Sequence, residues 1–433
     1  MPRSNQGLGA IERAELDNGL KVVVVPEPGA TIVGVTVVYN VGFRSEPEGR
    51  TGFAHLFEHM MFQGSANVAK LEHARAVESA GGVFNGHTRA DVTVYYEALP
   101  SPALELALYL EADRMAALAL TEENLRNQVA VVKEEIRRNV LNRPYGGFPW
   151  IPLPAVAFRS YPNAHNGYGD FTDLEQATLA DGRDFYARYY SPANAVLTVV
   201  GGCRTEDVVL LAERHFGGIR RRRAPKHGPF PEPALKADRH QRAGSPLVPQ
   251  PAFAIGYRTP DPIGEFDSFL PYFMLAELLA NGEASRLRRR LLHQDKSATD
   301  VVAYIGTFGD DAFMVRDPTL LQIVVHHPGR AATKELLRAV NQEIGALAEK
   351  GPAEGELQRA VASFASSHWR RLAPVPSRSH IVGSVETVHG RADFLNELPD
   401  RLAQVTPDQL VSAAEEILHQ HRAVYELVPE RTA

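Results

Sequence analysis

The stretch His55-Leu56-Phe57-Glu58-His59 places two imidazoles and one carboxylate within five residues. On an α-helix, His55 and His59 lie one turn apart on the same face. Two neutral imidazoles in this arrangement can bind one zinc ion, and Glu58 is close enough to act on a water molecule at the metal. The same pattern can arise by chance in a long chain, so the residues around it decide whether it indicates a metal site.

The residues around this motif predict a helix that begins near Phe53 and reaches about Phe62. Leu56 and Met60 give the helix an apolar side, so its two histidines should be partly buried. One buried histidine is usually an ordinary core residue, but two histidines with a glutamate between them make a poor apolar core. The surroundings therefore favour a metal site.

A third ligand is needed, because a catalytic zinc site usually has three protein ligands and one open position. Residues 121–138 predict a second helix, with Thr121 at its N-cap and two glutamates near its end. Glu135 lies beside the apolar stripe of this helix, and Glu134 lies further round. Periodicity favours Glu135 as the ligand but leaves Glu134 open, and a solvated helix charge is the ordinary interpretation of either.

Two short β-rich stretches follow the motif. Residues 83–88 (VFNGHT) and 92–96 (VTVYY) predict a pair of strands. Gly86 removes a side chain within the first of them, so another backbone could approach closely. If this strand forms a sheet edge, an extended peptide could pair with it through main-chain hydrogen bonds. An ordinary hairpin is the simpler interpretation of the spacing.

Composition restricts the class of protein. A chain of 433 residues is too long for one ordinary core and suggests two domains or a repeated unit. The net charge of −6 and the pI near 6.3 give no reason to expect nucleic acid or a membrane surface as a partner. No run of about 18 apolar residues predicts a membrane span. Cys203 is the only cysteine, so a zinc site must rely mainly on histidines and carboxylates.

The first ten residues lack the apolar core of a signal peptide. We therefore predict a cytoplasmic protein, or a periplasmic one if a leader has been removed.

The order of predicted elements repeats along the chain. Each half has a strand, helices, a strand pair, long helices and a closing strand, which indicates an internal duplication. Residues 223–250, rich in proline and basic residues, predict a linker between a metal-binding domain at 1–222 and a homologous domain at 251–433. The second half has no ligand cluster, because His326 and the next histidine point to opposite faces of a predicted strand.

With these residues in hand, the chain resembles the pitrilysin and insulinase-like zinc peptidases, in particular the short two-domain subunits that include mitochondrial processing peptidase. The resemblance implies an α+β fold of two homologous domains, each a mainly antiparallel sheet with helices packed on it, and a peptidase that acts on peptides or unfolded segments. It rests on residues 18–20 (NGL), 52–64 (GFAHLFEHMMFQG), 81–88 (GGVFNGHT) and 131–135 (VVKEE).

The resemblance also implies roles for individual residues. His55, His59 and Glu135 would bind one zinc ion per chain, and Glu58 would be the general base. In this family the distal glutamate lies as far past the second histidine as Glu135 lies past His59 here, which is 76 residues. The implied substrate-binding edge strand consists of Phe84, Asn85, Gly86, His87 and Thr88.

Two departures from the family pattern matter. Gln128 stands where members often carry a glutamate. Glutamine keeps the size and the hydrogen bonding of glutamate but loses its charge, so the surroundings of the metal ligands would differ. Leu292 and Thr299 stand where active members carry an arginine and a tyrosine that hold the substrate and the developing oxyanion. We therefore expect a heterodimer, in which a homologous zinc-free subunit supplies the Arg/Tyr pair.

Two other interpretations remain open. The chain could be a non-catalytic structural or assembly subunit, although its intact motif counts against this. It could also be a self-sufficient homodimeric peptidase that uses Arg289 or Tyr304 in place of the missing pair.

Overall fold

The computed structural model describes residues 7–309, 311–329 and 332–430. The chain forms two compact units, and neither is continuous in sequence. Among the described residues, unit 1 takes those within 7–134, 167–228 and 368–397, and unit 2 takes those within 135–166, 229–367 and 398–430.

Unit 1 contains a six-stranded sheet in the order β1-β2-β6-β3-β5-β4. Neighbouring strands are antiparallel except β2 and β6, which are parallel. The inner strands are rich in β-branched residues and are almost fully buried, as expected for strands covered on both faces. The strands are β1 (Glu12–Glu15), β2 (Lys21–Pro26), β3 (Ile32–Tyr39), β4 (Val83–Thr88), β5 (Thr93–Pro100) and β6 (Ala195–Gly201).

Unit 2 contains a five-stranded sheet in the order β7-β11-β8-β10-β9, in which only β7 and β11 are parallel. If β1 is set aside, this order and this single parallel pair repeat those of unit 1, strand for strand. The repeat supports an internal duplication. The strands are β7 (Arg239–Ser245), β8 (Ala252–Arg258), β9 (Asp300–Ile305), β10 (Leu320–His326) and β11 (Ala423–Pro429).

Helices pack on both sheets, so the predicted α+β class with mainly antiparallel sheets is confirmed. The helices of the described residues are α1 (Phe53–Met60), α2 (Glu72–Ser79), α3 (Leu104–Ala116), α4 (Glu122–Ile136), α5 (Pro152–Ala157), α6 (Tyr161–Ala164), α7 (Phe171–Glu175), α8 (Leu179–Tyr189), α9 (Thr205–Phe216), α10 (Phe266–Ala280), α11 (Thr333–Lys350), α12 (Glu356–Leu372), α13 (Val375–His389), α14 (Phe394–Ala403) and α15 (Pro407–His419). Short π-helical segments span Arg137–Leu141 and Arg288–Gln294.

The two units differ from the domains drawn from the sequence at 1–222, 223–250 and 251–433. Helix α13 packs on β3 and β6 in unit 1, and helix α5 packs on β11 in unit 2. The segment expected to be a linker also contains β7, which pairs with β11 along its whole length. Packing between residues far apart in sequence sets these boundaries, and local composition does not report such packing.

None of the helices in the described residues combines the length and the apolar composition that a membrane crossing requires.

Candidate metal centre

Helix α1 presents the motif to the interior of unit 1. Its apolar side buries Phe53, Leu56, Phe57 and Met60, which fixes the rotation of the helix. His55 is only 6% exposed, while Glu58 and His59 are half-buried. The burial predicted for the histidines is therefore present.

Three of the predicted residues come together. One ligand atom each of His55, His59 and Glu135 lies within 4.8 Å of the others. Glu135 lies on α4, the continuous helix whose earlier residues belong to unit 1. Its neighbour Glu134 is exposed, and Glu135 is half-buried. Two imidazoles and one carboxylate form a donor set suited to zinc, so these residues could hold such an ion.

A main-chain carbonyl orients the first histidine. Nδ1 of His55 lies 2.8 Å from the carbonyl oxygen of Tyr168. Because a carbonyl oxygen can only accept, Nδ1 donates its proton, and Nε2 is the nitrogen that can bind a metal. Such a second hydrogen bond is the usual means of fixing the ring of a metal-binding histidine. The carbonyl could not be found from the sequence, because a main-chain group leaves no residue signature.

Strand β4 holds the carboxylate of Glu58. The Thr88 hydroxyl donates to Oε2 of Glu58 at 2.8 Å. A Cβ atom at Gly86 would lie 3.4 Å from Cγ of Glu58 and 3.2 Å from the ring of Tyr95. The missing side chain at Gly86 therefore leaves space for Glu58 beside the strand.

Strand β4 lies at the end of its sheet, and among the described strands it pairs only with β5. Its side chains alternate between two faces. Phe84 packs against Phe62 and His73, while His87 packs near Tyr96 and His380. Asn85 is exposed, in keeping with a position at the sheet edge.

Burial, and next the charge of Arg89, lower the pKa of His87 to about 3. The ring of His87 is therefore neutral across the physiological pH range.

Of the remaining predicted positions, one lies on α4 and the others lie in unit 2. Gln128 is buried on α4, two turns before Glu135 and on the same face. In unit 2, Leu292 lies in the π-helical segment and is half-buried, whereas Thr299 is exposed.

Of the two alternative residues, Arg289 is exposed, and the Tyr304 hydroxyl donates to Gln322 at 3.3 Å. Tyr304 is therefore held within its own sheet, on the edge strand β9.

A second buried group of titratable side chains in unit 1 comes from α2, β5 and α3. His73, Glu97 and Glu111 have ligand atoms within 4.8 Å of one another, and all three are buried. Nε2 of His73 is 2.6 Å from Glu97, and Glu111 is paired with the fully buried Arg114. Because Arg114 already neutralises one carboxylate, a proton balances the remaining charge better than a divalent cation.

Sequence reasoning also missed Glu46, which lies before the motif in a loop. Its carboxylate accepts hydrogen bonds from the main-chain N–H groups of Gly52 and Ala54. A carboxylate seven residues ahead of a helix has no recognisable spacing signature, because the loop conformation decides where it points.

Comparison with known proteins identifies the family. The family model described as Insulinase (Peptidase family M16) matches residues 21–144, and the one described as Peptidase M16 inactive domain matches residues 176–364. The chain belongs to the insulinase-like M16 peptidase family. The inactive-domain match includes residues 229–364 of unit 2, and the described residues within the match contain no group of metal ligands.

Relatives of this M16 family member carry names that refer to zinc. The chain is 29% identical to the zinc protease PqqE of Helicobacter pylori over 345 residues, covering 78% of this chain and 74% of the relative. It is 25% identical to an uncharacterized zinc protease of Mycobacterium leprae, covering 96% and 91%. The crystal structure of a protease from Helicobacter pylori has the same fold, with a TM-score of 0.88, 24% identity and coverage of 97% and 100%.

Proposed function

We propose that this chain is a zinc-dependent endopeptidase that hydrolyses bonds in peptides or unfolded segments. The approach of His55, His59 and Glu135 to within 4.8 Å, with Glu58 on the same helix, carries the proposal. The names of its relatives support the same metal and the same reaction class.

One zinc ion per chain would be held by Nε2 of His55, His59 and the Glu135 carboxylate. Zinc bound there would supply a Lewis acid that polarises the peptide carbonyl and makes a water molecule more acidic. Gln128 would tune this group through hydrogen bonding without adding a charge.

Glu58 would act as the general base. Thr88 holds one carboxylate oxygen, Oε2, so Oε1 remains to take the proton of the attacking water. Because Thr88 lies on β4, the base is fixed against the strand that we propose binds the substrate.

The substrate would add to the open edge of β4 as an extra antiparallel or parallel strand. Phe84, Asn85, Gly86, His87 and Thr88 would contribute mainly their backbone, which suits unfolded segments of varied sequence. Gly86 lies beside Glu58, so a peptide on this edge would pass close to the base.

A homologous zinc-free subunit would complete the site with an arginine and a tyrosine. Leu292 and Thr299 cannot donate hydrogen bonds to an oxyanion in the way that this pair does. A non-catalytic structural subunit is the second candidate function, favoured by these two residues and opposed by the complete metal-binding group. We propose a cytoplasmic location, or a periplasmic one after removal of a leader.

Substitutions on two helices test the proposal. Glu58→Gln should retain one zinc ion per chain and lose cleavage of an unfolded peptide by at least about 100-fold, because the base is removed while the ligands stay. Zinc content is measured by elemental analysis, and cleavage is measured with a quenched fluorescent peptide in the presence of the candidate partner.

Glu135→Gln and Glu134→Gln form a matched pair on α4. The first should lose zinc and activity, and the second, an exposed neighbour, should keep both. A wild-type chain that binds no zinc, or a Glu58→Gln variant with unchanged cleavage, would contradict the proposed function.

A further inference from the structure

We propose that Glu46 is a positioning residue for the metal-binding helix. Its buried carboxylate holds the first turn of α1, which carries His55, in the geometry that zinc binding needs. This inference rests on the proposed function and adds to it a residue that holds the backbone at the start of the metal-binding helix.

The carboxylate of Glu46 caps the start of α1. Glu46 is 3% exposed; its Oε2 accepts the N–H of Gly52 at 2.9 Å, and its Oε1 accepts the N–H of Ala54 at 2.7 Å. The first N–H groups of a helix have no partner within the helix, and a side chain at the N-cap usually supplies one. Here the N-cap is Gly52, which has no side chain, so Glu46 takes that role from outside the helix.

Glycine is required at this N-cap. Gly52 has a φ of 96°, and a Cβ atom there would lie 2.5 Å from Cα of Gly169. A residue with its own capping side chain therefore cannot occupy the position without moving the backbone. The negative charge of Glu46 is also favourable at the positive end of the helix dipole.

The cap adjoins a proposed zinc ligand. Ala54, whose N–H Glu46 binds, precedes His55 in the chain, and the carbonyl of Tyr168 holds the His55 ring. The backbone just before this ligand and the ring of the ligand are thus held by two separate contacts. Loss of the first contact would leave the helix start free to shift while the ring stays tethered.

Glu46 is itself held by the loop that it belongs to. The N–H of Arg44 donates to the carbonyl of Ala90 at 3.1 Å, and Arg44 forms a buried ion pair with Asp91 at 3.4 Å. Residues 89–92 form the turn between β4 and β5. The loop therefore connects the turn next to the proposed substrate strand with the start of the metal-binding helix.

Two variants remove the cap in steps. Glu46→Gln keeps one acceptor oxygen and loses the charge, and Glu46→Ala loses both acceptors. Because the loss of an outer hydrogen-bond partner typically weakens metal binding about 10- to 100-fold, we expect zinc affinity to fall about 10-fold for the first and about 100-fold for the second. Glu386→Gln is the matched control, since Glu386 is also 3% exposed in unit 1 and also accepts a main-chain N–H, that of Ala392.

Zinc affinity is measured on the full chain by competition with a chelator. Hydrogen exchange of the segment 52–60 in metal-free protein is measured alongside, and it should speed up in both Glu46 variants but not in the control. If both variants fold and bind zinc as tightly as the Glu386→Gln control, the inference is wrong, even if exchange is faster. If the wild type binds no zinc, the proposed function fails, and unchanged exchange at 52–60 would overturn the capping role independently.

Discussion

Glu97 is a carboxylic acid in the middle of a buried strand, where an ionised side chain is costly. It lies 2.6 Å from the neutral ring of His73 and makes a hydrogen bond with Glu111, which is itself paired with Arg114. Burial raises the pKa of Glu97 to about 7, and burial likewise raises the pKa of Glu111 to about 7. Burial lowers the pKa of His73 to about 3. The group therefore holds its proton on a carboxyl.

The stability of unit 1 should depend on this proton. The folded unit keeps it, whereas the unfolded chain releases it near the ordinary pKa of 4.5, so the contribution is complete below about pH 4.5 and is lost as the pH rises through 7. Glu97→Gln cannot lose a proton. Between pH 4.5 and 7 its free energy of unfolding should rise relative to that of the wild type by about 3 kcal/mol, because the pKa of Glu97 is shifted by about 2.5 units and each unit corresponds to about 1.36 kcal/mol.

Urea unfolding at several pH values, followed by circular dichroism, measures this difference. Titration of His73 acts in the opposite direction between about pH 3 and 6.5 in both proteins, so the comparison cancels most of it. A difference that is constant across the pH range would show that Glu97 is ionised in the folded unit.

At the residue scale, the sequence predicts the proposed metal ligands and the base better than it predicts the groups that hold these residues in place. His55, Glu58 and His59 share one helix, so their spacing in the sequence fixes the relative positions of their side chains. The choice between Glu134 and Glu135 as the third ligand required more than periodicity. Glu46 and the Tyr168 carbonyl depend on how two loops fold against α1. No local pattern contains that information.

At the scale of elements, α13 shows how closely a helix can approach a sheet. A Cβ atom at Gly383 would lie 2.9 Å from Oγ1 of Thr198 and 3.0 Å from Cγ2 of Val38. The nearby Ser379 hydroxyl makes a 2.9 Å hydrogen bond with Thr36 on β3. Glycine at 383 thus allows the helix to lie directly on the strands.

The same substitution at two helical glycines should have opposite effects. Alanine stabilises a helix by about 1 kcal/mol relative to glycine. At Gly345 in α11 nothing lies within 4 Å of the new methyl group. Gly345→Ala should therefore raise the free energy of unfolding or leave it unchanged. Gly383→Ala should lower it by about 1 to 2 kcal/mol, because overpacking against stiff β-branched side chains outweighs the gain. Denaturant unfolding measures both variants, and equal effects would mean that α13 can move away from the sheet without loss.

The strands that the sequence missed have a common cause. The inner strands are runs of valine and other apolar residues, which pattern analysis detects, but β1 (ERAE) and β7 (RHQRAGS) are polar and largely exposed. Both lie at a sheet edge, where one side of the strand needs no apolar partner. Pairing with a neighbouring strand holds them, and pairing leaves little trace in composition.

At the scale of the whole molecule, the duplication was visible in the order of elements, and the matching strand orders of the two sheets agree with it. The sequence does not indicate that a segment of each half belongs to the other unit. Residues 135–166 join unit 2 and residues 368–397 join unit 1, although each follows residues of the other unit directly. The apolar face of a helix indicates that the helix is covered, but it does not indicate which sheet covers it.

The proposed division of labour between two chains predicts a specific kinetic result. Purified alone with zinc, this chain should cleave an unfolded quenched fluorescent peptide slowly, because Leu292 and Thr299 do not provide the donors of an arginine and a tyrosine to the oxyanion. Addition of a homologous chain that has the Arg/Tyr pair and lacks the zinc motif should raise the rate by about 100- to 1000-fold, the usual effect of an oxyanion donor.

Three controls separate this prediction from its alternatives. The same partner mixed with Glu58→Gln should show no increase, since the base must come from this chain. Arg289→Ala and Tyr304→Phe should leave the cleavage rate of the mixture unchanged. If either variant slows cleavage by this chain alone as much as Glu58→Gln does, a homodimer supplies the missing groups. Cleavage by this chain alone at the rate of the mixture would rule out the heterodimer, because a site that lacks its oxyanion donors in both copies could not reach that rate.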